Sequence, residues 1–547
     1  MLEAITIPLP TAPRFSRPLL TTIVATIGPA SDTPEMVRRL IQSGVGVFRF
    51  NFSHGDLESH LRRLSTVRRV ASELGASIAC LGDLQGPKIR VGKIPADIPG
   101  TRAHASGGGA FDVVAGQDVI FKQNIDFAFN RKLSVPGSEA GGGLGEARGQ
   151  VVLPVTYQTL VNEVEPGQQV LINDGAVRLV AIARDATASG GAELHCRVVI
   201  GGTISSSKGI NLPQSKLLTP AITARDWECA AWAVANDLDY VALSFVRDPD
   251  DVHQLRRGIE AMPAGSGGTV PWIPIIAKIE MPQAVANLEE IIDASDAIMV
   301  ARGDLGVEMD IATVPVVQKR IVKMCREYGK PCIVATQMLE TMIENVIPTR
   351  AEASDVANAI IDGADAVMLS AETASGKHPL AVVETMGRIL ITAEAYMAQG
   401  EYKHSFPTRM AASHRGTAAL AHGAWQIAND IAAKAVVVWS QNGGTARYLS
   451  QNRFHIPIVA YSSDAASCRR MTLLRGVTPV CAAPPASGKL SEWNEAVDVL
   501  LREKGIVKDG DPIVLVAGRP LGLAKRTNTL AIHKVGEPTG YRAAELA

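Results

Sequence analysis

The chain has 547 residues, and its 54 lysines and arginines against 55 aspartates and glutamates give a formal charge of −1. Hydrophobic residues make up 46% and charged residues 20%, which excludes global disorder and supplies a sizeable core. At roughly 150 residues per domain, the length predicts about three or four domains, or one barrel with insertions. The balanced charge argues against a nucleic-acid partner, which would require a basic face or tail.

The ends of the chain and its cysteines bear on location. No apolar run is long enough for a membrane helix, and the first residues lack the pattern of a signal peptide. The seven cysteines are scattered, odd in number and free of the CxxC spacing of zinc sites. This usage is typical of reduced, buried thiols. We therefore expect a cytoplasmic enzyme without a membrane partner.

Eight short apolar runs recur along the chain, and amphipathic helical stretches follow most of them. Such runs are typical of strands buried on both faces of a parallel sheet. They begin at Thr21, Val45, Ala76, Tyr240, Ile273, Ala297, Pro331 and Ala366. After an N-terminal tail over residues 1–20, this pattern predicts an α/β fold, a (β/α)8 TIM barrel built from residues 21–86 and 217–396.

Two further units are predicted outside the barrel. Over residues 87–216, short alternating runs and Gly-rich stretches predict an inserted all-β lid domain. The Gly-rich stretches ASGGGA and EAGGGLGEARG lack the following helix and Lys-Ser/Thr pair of a phosphate-binding loop, so we interpret them as loop tips. Residues 397–547 return to buried strands alternating with helices, which predicts a C-terminal doubly wound α/β domain.

Polar side chains follow the predicted barrel strands, where barrel enzymes place their chemistry. Lys278 and Glu280 share one face of a strand, and Asp304 is expected to end the next strand. Two carboxylates with substrate oxygens and water suit Mg²⁺ or Mn²⁺, and the lysine adds positive charge where an oxyanion develops. The Gly303 step frees backbone N–H groups for a carboxylate or phosphate. A structural salt-bridge network at the rim is the alternative.

A second group of residues follows the second and third strands, in FRFNFSHG and LGDLQGPKIRVG. The planar guanidinium of Arg49 matches phosphate oxygens. His54 and Arg90 are candidates for nucleotide phosphates, although His54 could instead only cap its loop. Three side-chain oxygens could together hold a monovalent cation, those of Asn51, Ser53 and Asp83.

A third group follows the last two barrel strands. Thr336, in ATQMLETM, presents a hydroxyl at the rim, and Ser370 and Glu372 are expected to end the last strand. The helical repeat DVANAIIDG between them carries an ordinary core-facing stripe, and we interpret it as packing alone.

Together these runs resemble the pyruvate kinases. The resemblance covers almost the whole chain in one order and includes ATIGPAS, FNFSHG, GPKIR, KGINLP, DYVALSFVR, KIE, ARGDLGVE, ATQMLE, PTRAEASDVANAI and MLSAETASGKHP. It implies transfer of the phosphoryl group of phosphoenolpyruvate to ADP, giving pyruvate and ATP, the last step of glycolysis. It also implies a homotetramer.

The resemblance assigns roles residue by residue. Glu280 and Asp304 are implied as ligands of Mg²⁺ or Mn²⁺, and Lys278 as the group that stabilises phosphoryl transfer and the developing enolate. Phosphoenolpyruvate is implied to contact Arg49, Lys278, Gly303, Asp304 and Thr336. The nucleotide phosphates are implied to contact Arg90 and Lys208, with His54 nearby. Thr336 and Ser370 are implied to lie on the path of a solvent proton to the enolate carbon.

One run departs from the commonest pattern of that family, Asp-Thr-Lys-Gly-Pro-Glu. Here Asp83 to Lys88 reads Asp-Leu-Gln-Gly-Pro-Lys. The glutamate goes with a requirement for K⁺, whereas a lysine places an ammonium where the ion would lie. We expect activity without K⁺. The alternative is that Lys88 points to solvent and K⁺ still binds, at a site made of Asn51, Ser53, Asp83 and Leu84.

The C-terminal domain carries WSQNGGTAR and AGRPLGLAKRTNT, which in relatives form a site for a sugar-phosphate or nucleotide effector. The expected phosphate donors are Ser440, Asn442, Gly443, Gly444 and Thr445, with charge from Lys525 and Arg526. Because the final loop differs from the Gly-Ser-Gly type, no effector is named, and a binding-silent loop is the alternative.

Two rival functions remain open from the sequence. One is a different Mg²⁺–enolate barrel enzyme, such as a carbon–carbon lyase. It would share the pair Glu280 and Asp304 but would need neither FNFSHG nor Lys208 of the lid. A non-catalytic metabolite sensor on this scaffold predicts loss of at least one of five residues, all of which are present: Lys278, Glu280, Asp304, Arg49 and Thr336.

Overall fold

A computed structural model describes residues 19–104, 108–131, 150–186, 191–215, 219–263, 271–399, 407, 409, 415–518, 521–522 and 527–537. Within these ranges, no helix has the length and apolar character needed to cross a membrane. All seven cysteines are described, and all are free thiols. Six are buried as expected, but the expectation is wrong for Cys481, which is exposed.

The strands, in chain order, are β1 (Thr22–Thr26), β2 (Val45–Asn51), β3 (Ala79–Asp83), β4 (Thr101–Ala103), β5 (Gly109–Val113), β6 (Asp118–Lys122), β7 (Phe129–Arg131), β8 (Gln150–Leu153), β9 (Gln169–Ile172), β10 (Val177–Asp185), β11 (Glu193–Ile200), β12 (Gly202–Ser205), β13 (Ile210–Asn211), β14 (Tyr240–Leu243), β15 (Ile275–Ile279), β16 (Ala297–Ala301), β17 (Cys332–Ala335), β18 (Ala366–Leu369), β19 (Ala435–Trp439), β20 (Ile458–Ser462), β21 (Val477–Cys481), β22 (Pro512–Ala517) and β23 (Thr529–Lys534).

The α-helices are α1 (Pro34–Gln42), α2 (Leu57–Glu73), α3 (Leu160–Glu163), α4 (Ala224–Ala235), α5 (Pro249–Glu260), α6 (Pro282–Ala286), α7 (Leu288–Ala294), α8 (Arg302–Glu308), α9 (Val314–Tyr328), α10 (Arg350–Asp362), α11 (Ala371–Ala374), α12 (Pro379–Met397), α13 (Arg415–Asp430), α14 (Gly444–Gln451), α15 (Ala465–Met471) and α16 (Leu490–Glu503). A 3-10 helix covers Glu340–Ile343.

Eight parallel strands close the barrel in the order β1-β18-β17-β16-β15-β14-β3-β2, which confirms the predicted (β/α)8 fold. Every residue of β15 and of β16 is buried, because the barrel interior covers one face and the helices cover the other. The helices begin and end at sequence signals. Asp248 caps α5 in a reciprocal capping box with Asp251, and α9 ends at Gly329, whose φ of 65° favours glycine.

The insert between β3 and β14 folds around a core of its own. Its strands form a seven-stranded sheet, β13-β9-β10-β11-β6-β8-β7, and a three-stranded sheet, β12-β5-β4. The pairing is antiparallel except between β6 and β8. The predicted all-β character is thus confirmed, with the four-residue helix α3 as an addition.

The C-terminal unit is a five-stranded sheet in the order β21-β20-β19-β22-β23. The first four strands are parallel, and β23 pairs with β22 in the antiparallel sense. Hydrophobic clusters cover both faces of this sheet, one containing Val436 and Val438 and the other Val437 and Trp439. Alternate residues of β19 therefore face opposite layers, as a doubly wound α/β unit requires.

Candidate active site

The carboxyl ends of β2, β3, β14 and β15 lie side by side in the closed barrel. A cavity of about 460 Å³ opens there, between the barrel rim and the insert. Of the residues singled out in the sequence, it is lined by Arg49, Asn51, Ser53, His54, Asp83, Leu84, Lys88, Arg90, Lys208, Lys278, Glu280 and Asp304. The tertiary structure thus brings together residues from both sides of the insert.

Lys278 lies at the centre of a buried charged cluster. Its Nζ donates a hydrogen bond to Ser244 Oγ at 2.7 Å, and it lies 2.8 Å from Glu280 Oε1 and 3.4 Å from Asp83 Oδ1. Burial alone would lower the pKa of Lys278, but the negative charges of Asp83 and Glu280 outweigh burial and raise it. The lysine is therefore held as a cation at neutral pH.

Asp83 is the partner that joins Lys278 to Arg49. Arg49 Nε donates to Asp83 Oδ2 at 2.6 Å, and its Nη1 donates to Thr26 Oγ1 at 3.0 Å. Burial acts to raise the pKa of Asp83, but the charges of Lys278 and Arg49 lower it overall. These two bonds fix the plane of the guanidinium at the cavity wall.

Glu280 and Asp304 are the carboxylates expected to hold a divalent metal. Glu280 Oε2 accepts a hydrogen bond from the Phe245 N–H at 2.7 Å. Burial raises the pKa of Glu280, and the charge of Asp304 raises it further while Lys278 opposes the shift. The expectation that Asp304 ends a strand is wrong: β16 stops at Ala301, and Asp304 lies in the first turn of α8, because the backbone turns helical immediately after the strand.

The donor set fits a hard divalent cation. Within the described ranges, no three or more His, Cys, Asp or Glu side chains converge as a metal-binding group. Mg²⁺ is commonly bound by only one or two carboxylates, with substrate oxygens and waters completing its shell. Glu280 and Asp304 supply such a pair, and the repulsion between them, felt in the raised pKa of Glu280, would be relieved by a cation.

Lys88 reaches the same rim from the start of the insert. Its Nζ lies 4.0 Å from Asp304 Oδ1, and its side chain is 28% exposed. Three of the candidate K⁺ ligands already have protein donors: Asp83 Oδ2 accepts from Arg49 Nε at 2.6 Å, Leu84 O accepts from Ser244 Oγ at 2.7 Å, and Asn51 Oδ1 accepts from the Ser53 N–H at 3.1 Å. Lys88 is therefore directed at the rim rather than into bulk solvent.

His54, Arg90 and Lys208 form the basic side of the cavity. Arg90 Nη1 donates to Ser207 O at 2.9 Å, which anchors its side chain to the segment that carries Lys208. Burial, then the charges of Arg90, Arg49 and Lys88, lower the pKa of His54. The loop that contains His54 is held by a different histidine: Nε2 of His60 lies 3.0 Å from the backbone oxygen of His54.

Thr336 and Gly303 contact each other. The Gly303 N–H donates to Thr336 Oγ1 at 2.7 Å, so the expectation that this N–H is open to a ligand is wrong. Thr336 has a φ of 67°, an uncommon backbone conformation for a β-branched residue. Gly303 lines a second cavity, of about 920 Å³, which also contains Asp304 and Lys88.

Ser370 follows β18, as expected. Its N–H donates to Glu372 Oε2 at 2.6 Å. Glu372 itself lies in α11 rather than at the strand end; it is fully buried and also accepts from the Leu339 N–H at 3.3 Å. This glutamate therefore fixes the loops after β17 and β18.

The expected effector loop lies between β19 and α14. Ser440 is buried, and its Oγ accepts from the Ala446 N–H at 3.1 Å. Thr445 Oγ1 lies 2.6 Å from Thr527 Oγ1, and Gly443 has a φ of 76°. Asn442 and Gly444 are exposed. Lys525 and Arg526 lie outside the described residues.

Three residues of the cluster were not singled out in the sequence. Ser244 and the Phe245 N–H follow β14 and hold Lys278 and Glu280, while Thr26 ends β1 and holds Arg49. The sequence does hold a signal for Ser244, since polar residues follow the other barrel strands and Ser244 follows the apolar residues of the run DYVALSFVR. The hydrogen bond from the Phe245 N–H to Glu280 could not be predicted, because every residue type other than proline carries a backbone N–H.

Comparisons with known proteins agree with this arrangement. A family profile described as "Pyruvate kinase, barrel domain" matches residues 19–383, and one described as "Pyruvate kinase, alpha/beta domain" matches residues 418–533. The chain is 38% identical over 517 residues to the pyruvate kinase of Mycobacterium tuberculosis (strain CDC 1551 / Oshkosh), covering 94% of this chain and 98% of that protein.

Two further relatives point the same way. A pyruvate kinase of Corynebacterium glutamicum is 37% identical over 520 residues, covering 95% of this chain and 98% of its own length. A crystal structure of a pyruvate kinase from Cryptosporidium parvum has a TM-score of 0.77 at 31% identity, covering 94% of this chain and 96% of that one. The matched profiles and the extent of these relatives show that the chain belongs to the pyruvate kinase family and is a phosphotransferase.

Proposed function

We propose that the chain transfers the phosphoryl group of phosphoenolpyruvate to ADP, giving pyruvate and ATP, as in the last step of glycolysis. The observation that carries the proposal is the buried contact of Lys278 with Asp83 and Glu280 at the cavity that Arg49 also lines. Phosphoryl transfer depends on positioning and charge neutralisation rather than on a covalent nucleophile. This cluster supplies fixed cations and one carboxylate pair.

Each side chain has a part in that reaction. Lys278, held protonated by its two carboxylates, stabilises the charge of the phosphoryl group in transfer and of the developing enolate. Arg49 binds the substrate phosphate; among the described residues its Nε and Nη1 have acceptors and its Nη2 has none. Glu280 and Asp304 hold Mg²⁺ or Mn²⁺, which when bound neutralises phosphate charge.

The remaining site residues complete the proposal. Gly303, Asp304 and Thr336 orient the carboxylate end of phosphoenolpyruvate, and the Thr336 hydroxyl and Ser370 lie on the route of the solvent proton to the enolate carbon. His54, Arg90 and Lys208 contact the phosphates of ADP, supported by their shared cavity. The insert, residues 87–216, acts as a lid that excludes water from the reacting centre.

The barrel (21–86 and 217–396) and the C-terminal unit (397–547) are proposed as separate domains of the chain. The assembly of chains is proposed to be a homotetramer. An exposed groove of about 650 Å³ between α10 and α12, lined by Ile361 and Ile389, is a surface that another copy of the chain would cover. Mass measurement in solution tests the tetramer. The cytoplasm remains the expected location, because free cysteines are typical of a reducing compartment.

The loop from Ser440 to Thr445 is proposed to bind a phosphate-bearing effector, either a sugar phosphate or a nucleotide. Its exposed Asn442 and Gly444 support this, whereas the buried Ser440 hydroxyl is already engaged by a backbone N–H. Titrating the initial rate with sugar phosphates and AMP at sub-saturating phosphoenolpyruvate tests it. A rate unchanged by every candidate supports the binding-silent alternative.

The reaction is tested by coupling pyruvate formation from phosphoenolpyruvate and ADP to a spectrophotometric readout, with Mg²⁺ present. We expect turnover in the wild type and a fall of several orders of magnitude in Lys278→Met. The variant should keep its fold, because Glu280 can take up a proton once its cationic partner is gone. Lys504→Met, at an exposed position after α16, is the matched control. Near-normal turnover of Lys278→Met would refute the assignment.

A further inference from the structure

A buried contact joins the insert to the barrel at Asn211 and Glu308. Asn211 Nδ2 donates to Glu308 Oε1 at 2.7 Å, and each residue is only 6% exposed. Asn211 ends β13, three residues after Lys208, and Glu308 ends α8, four residues after Asp304. The contact therefore links the segment proposed to touch nucleotide phosphates with the helix proposed to carry a metal ligand.

Two oxygen atoms in this pair lack a partner. Glu308 Oε2 and Asn211 Oδ1 are both buried, and neither has a hydrogen-bond partner among the described residues. Two acceptors without a donor cost free energy when buried. A proton on Glu308 turns Oε2 into a donor, and a carboxylic acid and a primary amide can then pair through two hydrogen bonds. One proton accounts for both unpartnered atoms.

The surroundings of Glu308 favour that neutral form. Burial raises the pKa of Glu308 to about 7; the Asn211 hydrogen bond opposes the shift, and the charges of Asp304 and Glu280 add to it. Two cations, Lys88 and Arg247, line a small cavity beside Glu308. On the side of the larger cavity, besides Lys88 and Asp304, the charged lining residues are Asp174, Arg178, Arg302 and Asp310, two of each sign.

We propose that Glu308 is a positioning residue which, as a neutral acid, pairs with Asn211 and holds the insert against α8. Its effect on ADP binding rests on the proposed function, but the contact itself does not. Opening the insert exposes Glu308 to water, where a carboxyl group ionises with a pKa near 4.3, so opening releases a proton. Closure is then favoured at low pH, weakens as pH rises from about 4.3 to about 7, and levels off above that range.

The contact is tested first without substrate, by hydrogen–deuterium exchange of residues 205–212 in the full chain at pH 5.5 and pH 8, corrected for intrinsic exchange chemistry. In the wild type we expect the opening equilibrium at pH 8 to exceed that at pH 5.5 by at least about tenfold. Glu308→Gln can form both hydrogen bonds at any pH, so its exchange should stay slow at pH 8. Glu308→Ala should exchange fast at both values.

Glu260→Gln, at an exposed position of α5, is the matched control and should behave as the wild type. Equal opening of the wild type at the two pH values would overturn the proposal, as would a Glu308→Gln variant with the same pH response as the wild type. A purely structural role predicts loosening in both Glu308 variants, without the rescue by glutamine.

Kinetics supply the second arm. In the wild type, the KM for ADP should rise between pH 6 and pH 8. In Glu308→Gln, the ratio of KM at pH 8 to KM at pH 6 should be severalfold smaller. In both proteins kcat should change less than KM. An identical pH profile of KM in the two proteins would count against the positioning role. If the chain shows no turnover of phosphoenolpyruvate with ADP, the proposed function fails, and the exchange experiment still decides the contact.

Discussion

Lys88 Nζ lies 4.0 Å from Asp304 Oδ1, so an ammonium from the first residues of the insert faces a carboxylate on the helix after β16. Lys88 also lines the cavity with Asn51, Ser53 and Asp83, the side chains considered for a monovalent cation. The positive charge that K⁺ would bring to this rim is thus already part of the chain. This geometry supports the expectation from the sequence that activity does not require K⁺.

The first prediction concerns that charge. In a buffer whose only monovalent cation is a bulky organic one, the wild type should turn over at full rate, and adding K⁺ should change the rate less than twofold. Lys88→Glu should lose most activity there and regain at least about tenfold on adding K⁺, because the new carboxylate attracts a cation. Lys93→Glu, an exposed charge reversal in the same segment, should show no K⁺ response. Strong activation of the wild type by K⁺ would refute independence.

Replacing Arg49 by lysine should impair substrate binding despite the conserved charge. Lysine cannot hold Asp83 and Thr26 and also present a further N–H to the substrate phosphate, and losing one hydrogen bond between that phosphate and a charged group costs about 1.5–3 kcal/mol. We expect the KM for phosphoenolpyruvate to rise by about 10- to 100-fold. Arg62→Lys, in an exposed pair with Glu58, is the control and should leave KM unchanged. An Arg49→Lys enzyme with normal KM would contradict this role.

Substitutions of Thr336 distinguish the effect of backbone strain on stability from the effect of the hydroxyl group on proton transfer. The φ of 67° at Thr336 is strained for any residue with a Cβ, so Thr336→Gly should be more stable than Thr336→Ala by about 1 kcal/mol, although both lose the bond to the Gly303 N–H. Both should lose about 100-fold or more in proton transfer, measured by NMR as exchange of the pyruvate methyl protons with deuterium. Thr336→Ser should keep most of this exchange. Equal exchange in the alanine and serine variants would exclude the hydroxyl.

The insert has its own buried ion cluster at Glu193, whose Oε1 lies 2.7 Å from both Lys122 Nζ and Arg131 Nη2. The hydrogen bond from Arg131 lowers the pKa of Glu193 most, burial opposes this shift, and the hydrogen bond from Lys122 adds to it. The pKa is lowered to about 2. Because the pKa is lowered in the folded state, its stabilisation is present above the ordinary value near 4.3 and is lost as pH falls toward about 2.

Glu193→Gln should therefore destabilise the insert by about 3 kcal/mol at neutral pH, since it removes the charge of the buried carboxylate that both Lys122 and Arg131 contact. Protection of the β11 amides in hydrogen exchange measures this loss of stability. In the variant, the loss of protection that the wild type shows as pH falls from about 4.3 toward about 2 should be absent. Glu165→Gln, from a more exposed pair with Arg184, should cost no more than about 1 kcal/mol. Equal protection in Glu193→Gln and wild type would show that the cluster contributes nothing.

Much of the fold was readable because hydrophobic runs report burial directly. The eight barrel strands, the insert and the C-terminal sheet follow from runs such as that around β16, where every residue is buried. Lys278 and Glu280 were predictable as a pair from the alternation of side chains along a strand, although β15 ends at Ile279 and Glu280 is the first residue after it. Asp304 was placed on a strand wrongly, since no run of side-chain types marks where this backbone turns into α8.

The sequence by itself determined the order of the three units, the residue types at the barrel rim and the family. Tertiary structure alone decided the partners: that Asp83 sits between Arg49 and Lys278, that Lys88 faces Asp304, and that Asn211 meets Glu308. These contacts join residues from 34 to 216 positions apart, where periodicity carries no information. The charge state of each buried group depends on such neighbours and on exclusion of water, which exist only once the strands have closed into a barrel and the insert has folded over it.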